Sequence, residues 1–460
     1  MSYSFTRSIP SDETYDLVVA GGGPAGSAAA ICAARLGAKV LLIEATGCMG
    51  GMGTSGLVTA WDPMADGERM LVGGFMRELI ETLYARGFTA PHVIPDFWRK
   101  FYHQWTPFKA EGLKLVLDEL AAAAGVEVRF FTRLVDVDAD PATRRVNGII
   151  VSNIEGLRFI PAKTFIDATG DAVLAAAAGA EVRAAGHDGV PPPMPPTLCS
   201  LCAGIDWARA AHNPLQNHAD GQEAGIERAI ADGFFSQPDR HIPGFFRTGE
   251  TTTMTNAGHV FGADALNNRS LSAAMARGRQ LVHEYVAFCK KYVEGCEKME
   301  LMTTGALLGV RESRRIVGEY ELTFDDYIAR RKFPDQIGIF NKFVDIHVHD
   351  ASDEEYRRFC EEMSKSGRLG VGESFGIPYR ILVPKGWQNL WVAGRCNSSD
   401  VRVHGSIRVM PAAAMMGQAA GTAAAQAIQQ KETACGLDTV ALCGTLRKHG
   451  ANLPEQVLLR

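Results

Sequence analysis

Three glycines near the start of the chain, Gly21, Gly23 and Gly26, have the spacing G-x-G-x-x-G. In this spacing one glycine closes a tight turn, one lets the backbone approach a pyrophosphate, and one lets a helix pack closely on a strand. Pro24 and Ala25 lie between the last two glycines and begin a small-residue helix, whose N-terminus offers N–H groups to phosphate. The chemistry that these residues predict is the binding of a dinucleotide.

The elements around the glycines complete a nucleotide-binding unit. An apolar strand precedes the turn at 16–20, and the helix over 25–36 is ended by Gly37. A second apolar strand over 38–43 leads into Glu44, whose carboxylate can accept hydrogen bonds from both hydroxyls of an adenosine ribose. The alternative is a glycine turn with no ligand, and the presence of every part of the unit favours the nucleotide site.

Glycine-rich turns recur later in the chain. Segment 47–56 follows Glu44 and has few side chains, as a backbone pressed against a flat ligand requires. A strand over 163–167 ends in a second glycine turn, and a short apolar strand over 389–393 ends at Gly394. In an open α/β sheet such turns lie at the ligand-binding edge.

Three short alternating runs, 126–131, 134–139 and 146–152, predict an antiparallel meander inserted into the parallel-sheet domain. The proline run at 190–196 then predicts a stiff extended connector. Beyond it the pattern changes to an α+β one. The expected elements are strands near 198–205 and 340–349 and helices over 272–294 and 352–364.

This order predicts a discontinuous domain organisation. A nucleotide-binding domain is expected over 1–185 and 381–435, interrupted by a substrate or cap domain over 190–380, with a C-terminal tail over 436–460. In the returning part, Pro411 suits the first turn of a long small-residue helix.

The composition excludes several classes of protein. A formal net charge of −5 over 460 residues argues against nucleic acid or an anionic membrane surface as partner. No apolar run is long enough to span a bilayer, and residues 1–15 show no signal-peptide core. Ten scattered cysteines suit a reducing compartment, so we expect a cytoplasmic protein. Cys199 and Cys202 are predicted to face opposite sides of a strand as independent thiols.

The motifs together resemble a known family, the bacterial FAD-dependent oxidoreductases related to the fumarate reductase and succinate dehydrogenase flavoproteins and to the flavin subunit of heterodisulfide reductase. The matching stretches run in family order over nearly the whole chain. They are 21–26 with Glu44, 50–56, 166–171, 309–320, 344–347, 389–395 and 405–422.

The resemblance implies an α/β fold with a Rossmann-like FAD-binding domain of the glutathione-reductase and fumarate-reductase type, interrupted by an α+β substrate domain. It implies FAD as cofactor, with the start of the helix at Pro411 facing the pyrimidine side of the flavin. Members with covalent flavin carry a histidine beside the first-domain glycines, and this chain has none there, so we expect non-covalent FAD. The residues expected to bind FAD are Gly21, Gly23, Pro24, Ala25, Gly26, Glu44, Gly50, Gly51, Met52, Thr54, Ala168, Thr169, Gly170, Gly394, Ser406 and Pro411.

His347 is the first candidate for the base that a flavin dehydrogenase needs. The predicted strand over 340–349 would place Asp345, His347 and His349 on one face, with Asp345 orienting His347. A hydrogen-bonded interface histidine explains the spacing equally well. A metal site at His347 and His349 is the weaker interpretation, because no other ligand cluster has suitable spacing, and we expect no metal.

Arg311 is the second catalytic candidate, and His404 is held in reserve. Arg311 and Arg314 would lie one turn apart on a helix, while an ion-pair network between domains accounts best for Arg315. His259 is a further candidate in the second domain, and the alternative for it, common for a loop histidine, is an ordinary solvated side chain.

The function that these features favour is an FAD-dependent dehydrogenase that takes hydride from a CH–OH or CH–CH group of a small polar metabolite. Reduction of an activated C=C bond and a flavin electron-transfer subunit acting with a partner protein are the alternatives. No second G-x-G-x-x-G follows a strand, so the electron acceptor is open among oxygen, a quinone and a protein. A homo-oligomer is possible as the common default.

Overall fold

The computed structural model describes residues 6–186, 193–210, 224–365 and 367–453. The connector predicted at 190–196 therefore lies partly outside the described residues, as does the end of the C-terminal tail. The strands are β1 Tyr15–Ala20, β2 Val40–Ile43, β3 Ala60–Trp61, β4 Thr106–Pro107, β5 Glu127–Arg129, β6 Arg133–Asp140, β7 Arg145–Asn153, β8 Gly156–Asp167, β9 Val182–Ala184, β10 Ser200–Ala203, β11 Gly244–Arg247, β12 Thr253–Asn256, β13 Glu300–Thr304, β14 Arg314–Ile316, β15 Gln336–Phe340, β16 Phe375–Pro378 and β17 Leu390–Val392. The helices are α1 Pro24–Arg35, α2 Phe75–Ala85, α3 Asp96–Arg99, α4 Ala110–Ala124, α5 Val173–Ala178, α6 Trp207–Ala210, α7 Ala224–Ala231, α8 Asn268–Tyr292, α9 Phe324–Ile328, α10 Asp353–Lys365, α11 Val401–Ile407, α12 Met410–Gln430 and α13 Thr439–Lys448.

The main sheet has seven strands and confirms the predicted α/β class. Its order is β5-β2-β1-β8-β7-β6, with β17 also paired to β8. The long strand β8 joins two kinds of sheet. Its first half pairs antiparallel with β7, and its second half pairs parallel with β1 and β17. The result is a parallel Rossmann-like sheet with an antiparallel extension.

The antiparallel meander is built from β6, β7 and β8, which corrects one predicted strand. The run at 126–131 is not part of the meander, because β5 pairs parallel with β2 and forms the edge of the parallel sheet. Helix α4 comes between β2 and β5, so this run has the crossover that a parallel neighbour needs. The strand expected at 163–167 is the second half of β8.

Helix α12 packs directly on α1 and covers one face of the parallel sheet. A Cβ atom at Gly417 would lie 2.0 Å from the Ala25 carbonyl oxygen, so only glycine allows this approach. The first eighteen residues of α12, Met410–Ala427, are buried. Pro411 lies in its first turn, as predicted. Among the described helices, none combines the length and apolar character that crossing a membrane requires.

The segment after the connector contributes a second sheet and a long helix. The four-stranded antiparallel sheet has the order β11-β12-β10-β13, and α8 packs beside it. The predicted helices over 272–294 and 352–364 correspond to α8 and α10. Cys199 and Cys202 are buried free thiols, in accord with the prediction of independent cysteines.

Two local predictions in this segment are wrong. The strand expected over 340–349 ends at Phe340, and residues 341–348 form an extended segment outside regular structure. Arg314 lies on β14, which pairs with β9, so Arg311 and Arg314 are not on a helix. Residues 341–348 make buried polar contacts, described below, in place of the predicted strand ladder, whereas Arg314 takes part in the β14–β9 ladder in place of the predicted helix.

Candidate active site

The carboxyl ends of four parallel strands meet at one edge of the main sheet. Ala20 pairs with Ile43 and with Asp167, and Asp167 pairs with Val392, so the four strands end at the same level. The glycine turns that follow them therefore converge. We call this the strand-end site and define it by residues 21–26, 44, 50–54, 168–170 and 394.

Two glycines of the first turn are required by close contacts. Gly21 has φ +97°, and a Cβ atom there would lie 2.6 Å from the Ala168 carbonyl oxygen. A Cβ atom on Gly26 would lie 1.8 Å from the Gly21 carbonyl oxygen. Gly23 has no such neighbour within 4 Å, which leaves open space in front of the N-terminus of α1. Pro24 and Ala25 form the first turn of α1.

Glu44 is nearly buried and accepts two backbone hydrogen bonds. Its Oε2 accepts from the N–H of Gly22 at 2.7 Å, and its Oε1 accepts from the N–H of Thr46 at 2.7 Å. Each oxygen keeps acceptor capacity for a ribose hydroxyl. The carboxylate is thereby held at the end of β2, next to the first glycine turn.

The second glycine segment is tied to the first. The N–H of Gly50 donates to the Gly22 carbonyl at 2.8 Å. Gly51 and Met52 lie in a 3₁₀ turn, and the Thr54 hydroxyl donates to the Met49 carbonyl at 2.7 Å. Thr54 is therefore a buried residue that fixes the shape of this turn.

The remaining predicted cofactor residues divide into two groups. Ala168, Thr169 and Gly170 follow β8, where the Thr169 hydroxyl donates to Asp167 Oδ1 at 2.7 Å, and Gly394 follows β17 with φ +89°. Ser406 lies elsewhere, buried in α11, where its hydroxyl donates to the Lys342 carbonyl at 2.6 Å. Pro411 lies at the start of α12.

Arg311 and His347 are in direct contact. Arg311 Nε donates to His347 Nε2 at 3.1 Å, and the two residues are 6% and 3% exposed. Arg311 Nη1 donates to the Pro195 carbonyl at 2.6 Å and to Thr197 Oγ1 at 3.0 Å. Arg311 Nη2 makes one long hydrogen bond, of 3.4 Å, to Asn256 Oδ1.

Burial changes the acid–base properties of both residues. It lowers the pKa of Arg311 to about 10, with a further contribution from the nearby charge of Arg408. It also lowers the pKa of His347 well below its usual value, and the Arg311 charge adds to this effect. His347 is therefore neutral at physiological pH, and the lone pair on Nε2 accepts the hydrogen bond from Arg311 Nε.

His259 is completely buried, so the alternative of a solvated loop histidine is wrong. Its Nε2 lies 2.9 Å from His347 Nδ1, and its Nδ1 lies 2.7 Å from Asp239 Oδ2. The ring of His241 stacks on that of His347 with centroids 4.7 Å apart. We call Asp239, His241, His259, His347 and Arg311 the His–Arg cluster.

The cluster corrects two further expectations. Ligand atoms of His241, His259 and His347 lie within 4.8 Å of one another, so a candidate metal-ligating group exists that spacing did not reveal. His349 is not part of it and instead donates its backbone N–H to Glu355 at 2.8 Å. Asp345 is not the direct partner of His347, because its Oδ1 lies 3.6 Å from Nε2.

Asp345 instead connects the cluster to the start of α12. It accepts a hydrogen bond of 3.1 Å from Arg408, two residues before the first residue of that helix. His404, on α11, is buried with its Nε2 3.1 Å from the Arg311 carbonyl. Burial, followed by the charge of Arg315, lowers the pKa of His404 well below its usual value. The three catalytic candidates thus lie in one buried neighbourhood.

Arg315 and a second buried ion pair complete the polar interior. Arg315 is paired with Glu312 at 3.5 Å, three residues before it in the chain, and Arg315 Nη1 donates to the Ser399 carbonyl, so the ion pair is local and the network between domains stays a prediction. Lys342 Nζ lies 2.8 Å from Asp62 Oδ2, and both side chains are 1% exposed. The Lys342–Asp62 pair and Asp239 were missed from sequence, because their partners lie far away in the chain; the only local signal was Asp239 two residues before His241.

The strand-end site fits the adenosine and pyrophosphate parts of FAD. A Cβ atom on Gly51 would lie 2.9 Å from the Gly23 Cα, so the two turns leave a narrow cradle lined by backbone, with a carboxylate beside it. Bound FAD supplies acceptance and donation of hydride. Near the start of α12, Arg311 and Arg408 supply positive charge, and His347 supplies a ring nitrogen that can accept a proton.

Comparison with known proteins agrees with this assignment. A family model described as FAD dependent oxidoreductase matches residues 16–446. A search of curated proteins finds no match.

Three solved structures are similar to the chain in part. A geranylgeranyl bacteriochlorophyll reductase-like protein from Thermoplasma acidophilum is 15% identical over 95% of this chain and 83% of its own, with a TM-score of 0.45. The p-nitrophenol 4-monooxygenase from Pseudomonas putida is 11% identical over 96% and 91%, with a TM-score of 0.43. The myxobacterial chondrochloren halogenase is 14% identical over 95% and 79%, with a TM-score of 0.44. Values this low do not indicate which reaction the chain catalyses.

The family model covers nearly the whole chain, including both the strand-end site and the His–Arg cluster. The chain therefore belongs to the FAD dependent oxidoreductase family and is an enzyme that uses FAD.

Proposed function

We propose that the protein is a dehydrogenase that removes hydride from a CH–OH or CH–CH group of a small polar metabolite, with non-covalent FAD as the acceptor. The observation that carries the proposal is the buried hydrogen bond between Arg311 and His347, in a neighbourhood that Asp345 and Arg408 connect to the start of α12. The positive charge of Arg311 can hold a substrate anion, whose negative charge offsets the effect of Arg311 on the pKa of His347, and the neutral imidazole then takes a proton.

The roles follow from the atoms. His347 is the base, and Nε2 is the nitrogen that accepts the substrate proton. Arg311 is the anchor for a substrate oxygen, because Nη2 has only one long hydrogen bond. Binding of that oxygen draws the guanidinium away from His347 and frees the lone pair. His404 is the reserve candidate, beside the Arg311 backbone.

The residues of the strand-end site are proposed to bind the adenosine and pyrophosphate parts of FAD, with Glu44 on the ribose and the α1 N-terminus on phosphate. The start of α12 at Pro411 is proposed to face the flavin ring, where its dipole stabilises negative charge on reduced flavin. Acid precipitation should leave the yellow flavin in the supernatant, and flavin in the pellet would contradict non-covalent binding.

We also keep the predicted organisation as a proposal. In it, residues 1–185 and 381–435 bind FAD and residues 190–380 cover the substrate. The proposed relation to the fumarate reductase and succinate dehydrogenase flavoproteins belongs to the same proposal. The proposed acceptor of the electrons from reduced FAD is oxygen, a quinone or a partner protein.

One observation favours a second candidate, reduction of an activated C=C bond. Among the described residues, Arg311 Nη2 makes a single hydrogen bond, of 3.4 Å to Asn256 Oδ1, so it has N–H capacity for a substrate, and burial lowers the pKa of Arg311 to about 10. In that direction Arg311 gives the proton that complements hydride addition.

An anaerobic screen tests these proposals. Wild-type protein is mixed with small hydroxy acids, saturated acids and polyols, and the flavin absorbance is recorded. If the protein is a dehydrogenase, at least one compound bleaches its flavin absorbance. Reduction of a C=C bond is tested by reducing the flavin with dithionite and recording its reoxidation by unsaturated acids. If only a partner protein changes the flavin, the protein is an electron-transfer subunit and the dehydrogenase proposal is wrong.

A further inference from the structure

Four side chains of the His–Arg cluster form a continuous line of hydrogen bonds. Arg311 Nε to His347 Nε2 is 3.1 Å, His347 Nδ1 to His259 Nε2 is 2.9 Å, and His259 Nδ1 to Asp239 Oδ2 is 2.7 Å. None of the four is more than 6% exposed. The line therefore runs through the interior.

The groups at the two ends of the line determine which atom donates the hydrogen in each of its hydrogen bonds. The Nε of an arginine can only donate, so His347 Nε2 carries a lone pair and His347 Nδ1 carries the proton. At the other end a carboxylate can only accept, so His259 donates from Nδ1 and accepts at Nε2. The two requirements agree, and both histidines are neutral Nδ1–H tautomers.

Asp239 is well suited to be a fixed acceptor. Besides His259 Nδ1, it accepts the backbone N–H groups of His241 at 3.0 Å and of His259 at 3.2 Å. These bonds, with the neighbouring histidines, lower the pKa of Asp239 even though burial alone would raise it. Asp239 therefore stays a carboxylate at neutral pH.

A metal ion shared by His241, His259 and His347 is less compatible with this arrangement. The ion would take the lone pairs of His259 Nε2 and His347 Nδ1 and displace the proton between them. His347 would then carry its proton on Nε2, opposite the Arg311 Nε–H at 3.1 Å, so that two donors would face each other. The hydrogen-bond pattern favours a hydrogen-bonded line over a metal site.

We propose that Asp239 and His259 are positioning residues that keep His347 Nε2 unprotonated when Arg311 moves to a substrate, and that they offset the positive charge formed there. This inference rests on the proposed role of His347. The Arg311 contact holds the lone pair in the resting enzyme, and the Asp239–His259 pair preserves the same tautomer once that contact is broken.

The bonds and charges balance along the line. His347 Nε2 would take the proton released as the substrate O–H bond, or for a CH–CH substrate the second C–H bond, breaks, while the hydride of the other C–H bond would be taken up by bound FAD. The proton on His347 Nδ1 stays there and donates to His259 Nε2, and His259 Nδ1 donates to Asp239 Oδ2, so the positive charge of the imidazolium is offset through the line by the Asp239 carboxylate. Asp239 remains a carboxylate, and FAD would be the group reduced.

Nitrogen NMR of FAD-loaded protein labelled with ¹⁵N-histidine tests the proposal without a substrate. The resonances of His347 are those lost in His347→Gln. In wild type, for both His259 and His347, we expect Nδ1 at the ¹⁵N chemical shift of a protonated ring nitrogen and Nε2 at that of an unprotonated one. In Arg311→Met the His347 pattern should be unchanged, because the Asp239 end still holds it. In Arg311→Met with His259→Phe the fixed preference should be lost, so that protonated Nε2 appears. The matched control His349→Gln should leave the His347 pattern intact.

Three results would overturn the inference. One is an Nε2 proton on His347 in wild type, a measurement that needs no variant to fold. The second is an Arg311→Met protein in which His347 becomes doubly protonated or changes tautomer. The third is that one equivalent of Zn²⁺ shifts the His241, His259 and His347 signals together, which would make the cluster a metal site. Finding the expected tautomers while no small molecule reduces the flavin would remove the dehydrogenase proposal alone.

Discussion

The strand-end site and the His–Arg cluster are assembled over very different distances along the chain. Gly21, Gly26 and Glu44 come from one strand–helix–strand unit, and their contacts follow from the order of residues within it. Asp239, His259 and His347 come from separate segments, and the two hydrogen-bonded histidines are 88 positions apart in the sequence. The proposed FAD contacts of Gly21, Gly26 and Glu44 therefore form within one short segment of the chain, whereas the proposed proton-accepting residues are brought together only by tertiary structure. Substitutions should therefore separate the two regions.

The largest effect is expected for Gly26→Ala. The new Cβ atom would lie 1.8 Å from the Gly21 carbonyl oxygen, so the glycine turn must move, and such overpacking costs about 1–3 kcal/mol or more. We expect the purified protein to have lost its bound FAD, measured by absorbance. Gly444→Ala is the matched control, since nothing lies within 4 Å of its Cβ position in α13, and it should keep FAD. Full flavin content in Gly26→Ala would contradict the account of this turn.

The next effect is expected in the cluster. Arg311→Lys removes the planar group that contacts His347, Pro195 and Thr197 at once, and lysine cannot reproduce it. We expect FAD content to be retained while the rate of flavin reduction falls about hundredfold or more. The exposed Arg402→Lys serves as control. A parallel loss of FAD would show that the two regions are not separable in this way.

A smaller change is expected for Glu44→Gln. The substitution removes the charge that strengthens hydrogen bonds to a ribose, each of which is about 1.5–3 kcal/mol when charge-assisted. The dissociation constant for FAD, from fluorescence titration, should rise by about ten- to hundredfold. Glu78→Gln, which breaks only a surface ion pair with Arg35, should leave it unchanged. An unaltered constant for Glu44→Gln would mean that Glu44 only shapes the loop.

The smallest effect is a pH dependence of stability. Burial lowers the pKa of His259, His347 and His404, so these residues are neutral in the folded protein, whereas the unfolded chain binds protons below about pH 6.5. The contribution of these neutral histidines to the free energy of unfolding is complete above about pH 6.5 and is lost as the pH falls below it. From about pH 7.5 to about pH 5.5 His347 and His404, whose pKa values are lowered well below the usual one, should each lower the free energy of unfolding by ~1.4 kcal/mol, and His259 acts in the same direction.

Urea unfolding at the two pH values measures this loss. Replacing exposed His283 with asparagine should leave the pH dependence as in wild type. A free energy of unfolding that stays constant or rises toward low pH would contradict the neutral state of the buried histidines.

Local patterns predicted most of the fold and little of the cluster. The parallel strands, α1 and the start of α12 follow from apolar runs and glycine positions. The run at 126–131 was misplaced because alternation gives a strand but not its partner; the partner is set by the α4 crossover. His347, Arg311 and His259 were named as candidates from the sequence, whereas Asp239 and the contacts between His259 and His347 are recognisable only when folding brings distant segments together.

The central claim is that His347 accepts the proton when a substrate reduces FAD. The direct measurement is the anaerobic stopped-flow rate of flavin reduction, with the compound that bleaches wild type fastest, in His347→Gln and in the matched variant His349→Gln. The account predicts a decrease of about two to four orders of magnitude for His347→Gln at unchanged FAD content and a wild-type rate for His349→Gln. A wild-type rate in His347→Gln would contradict it.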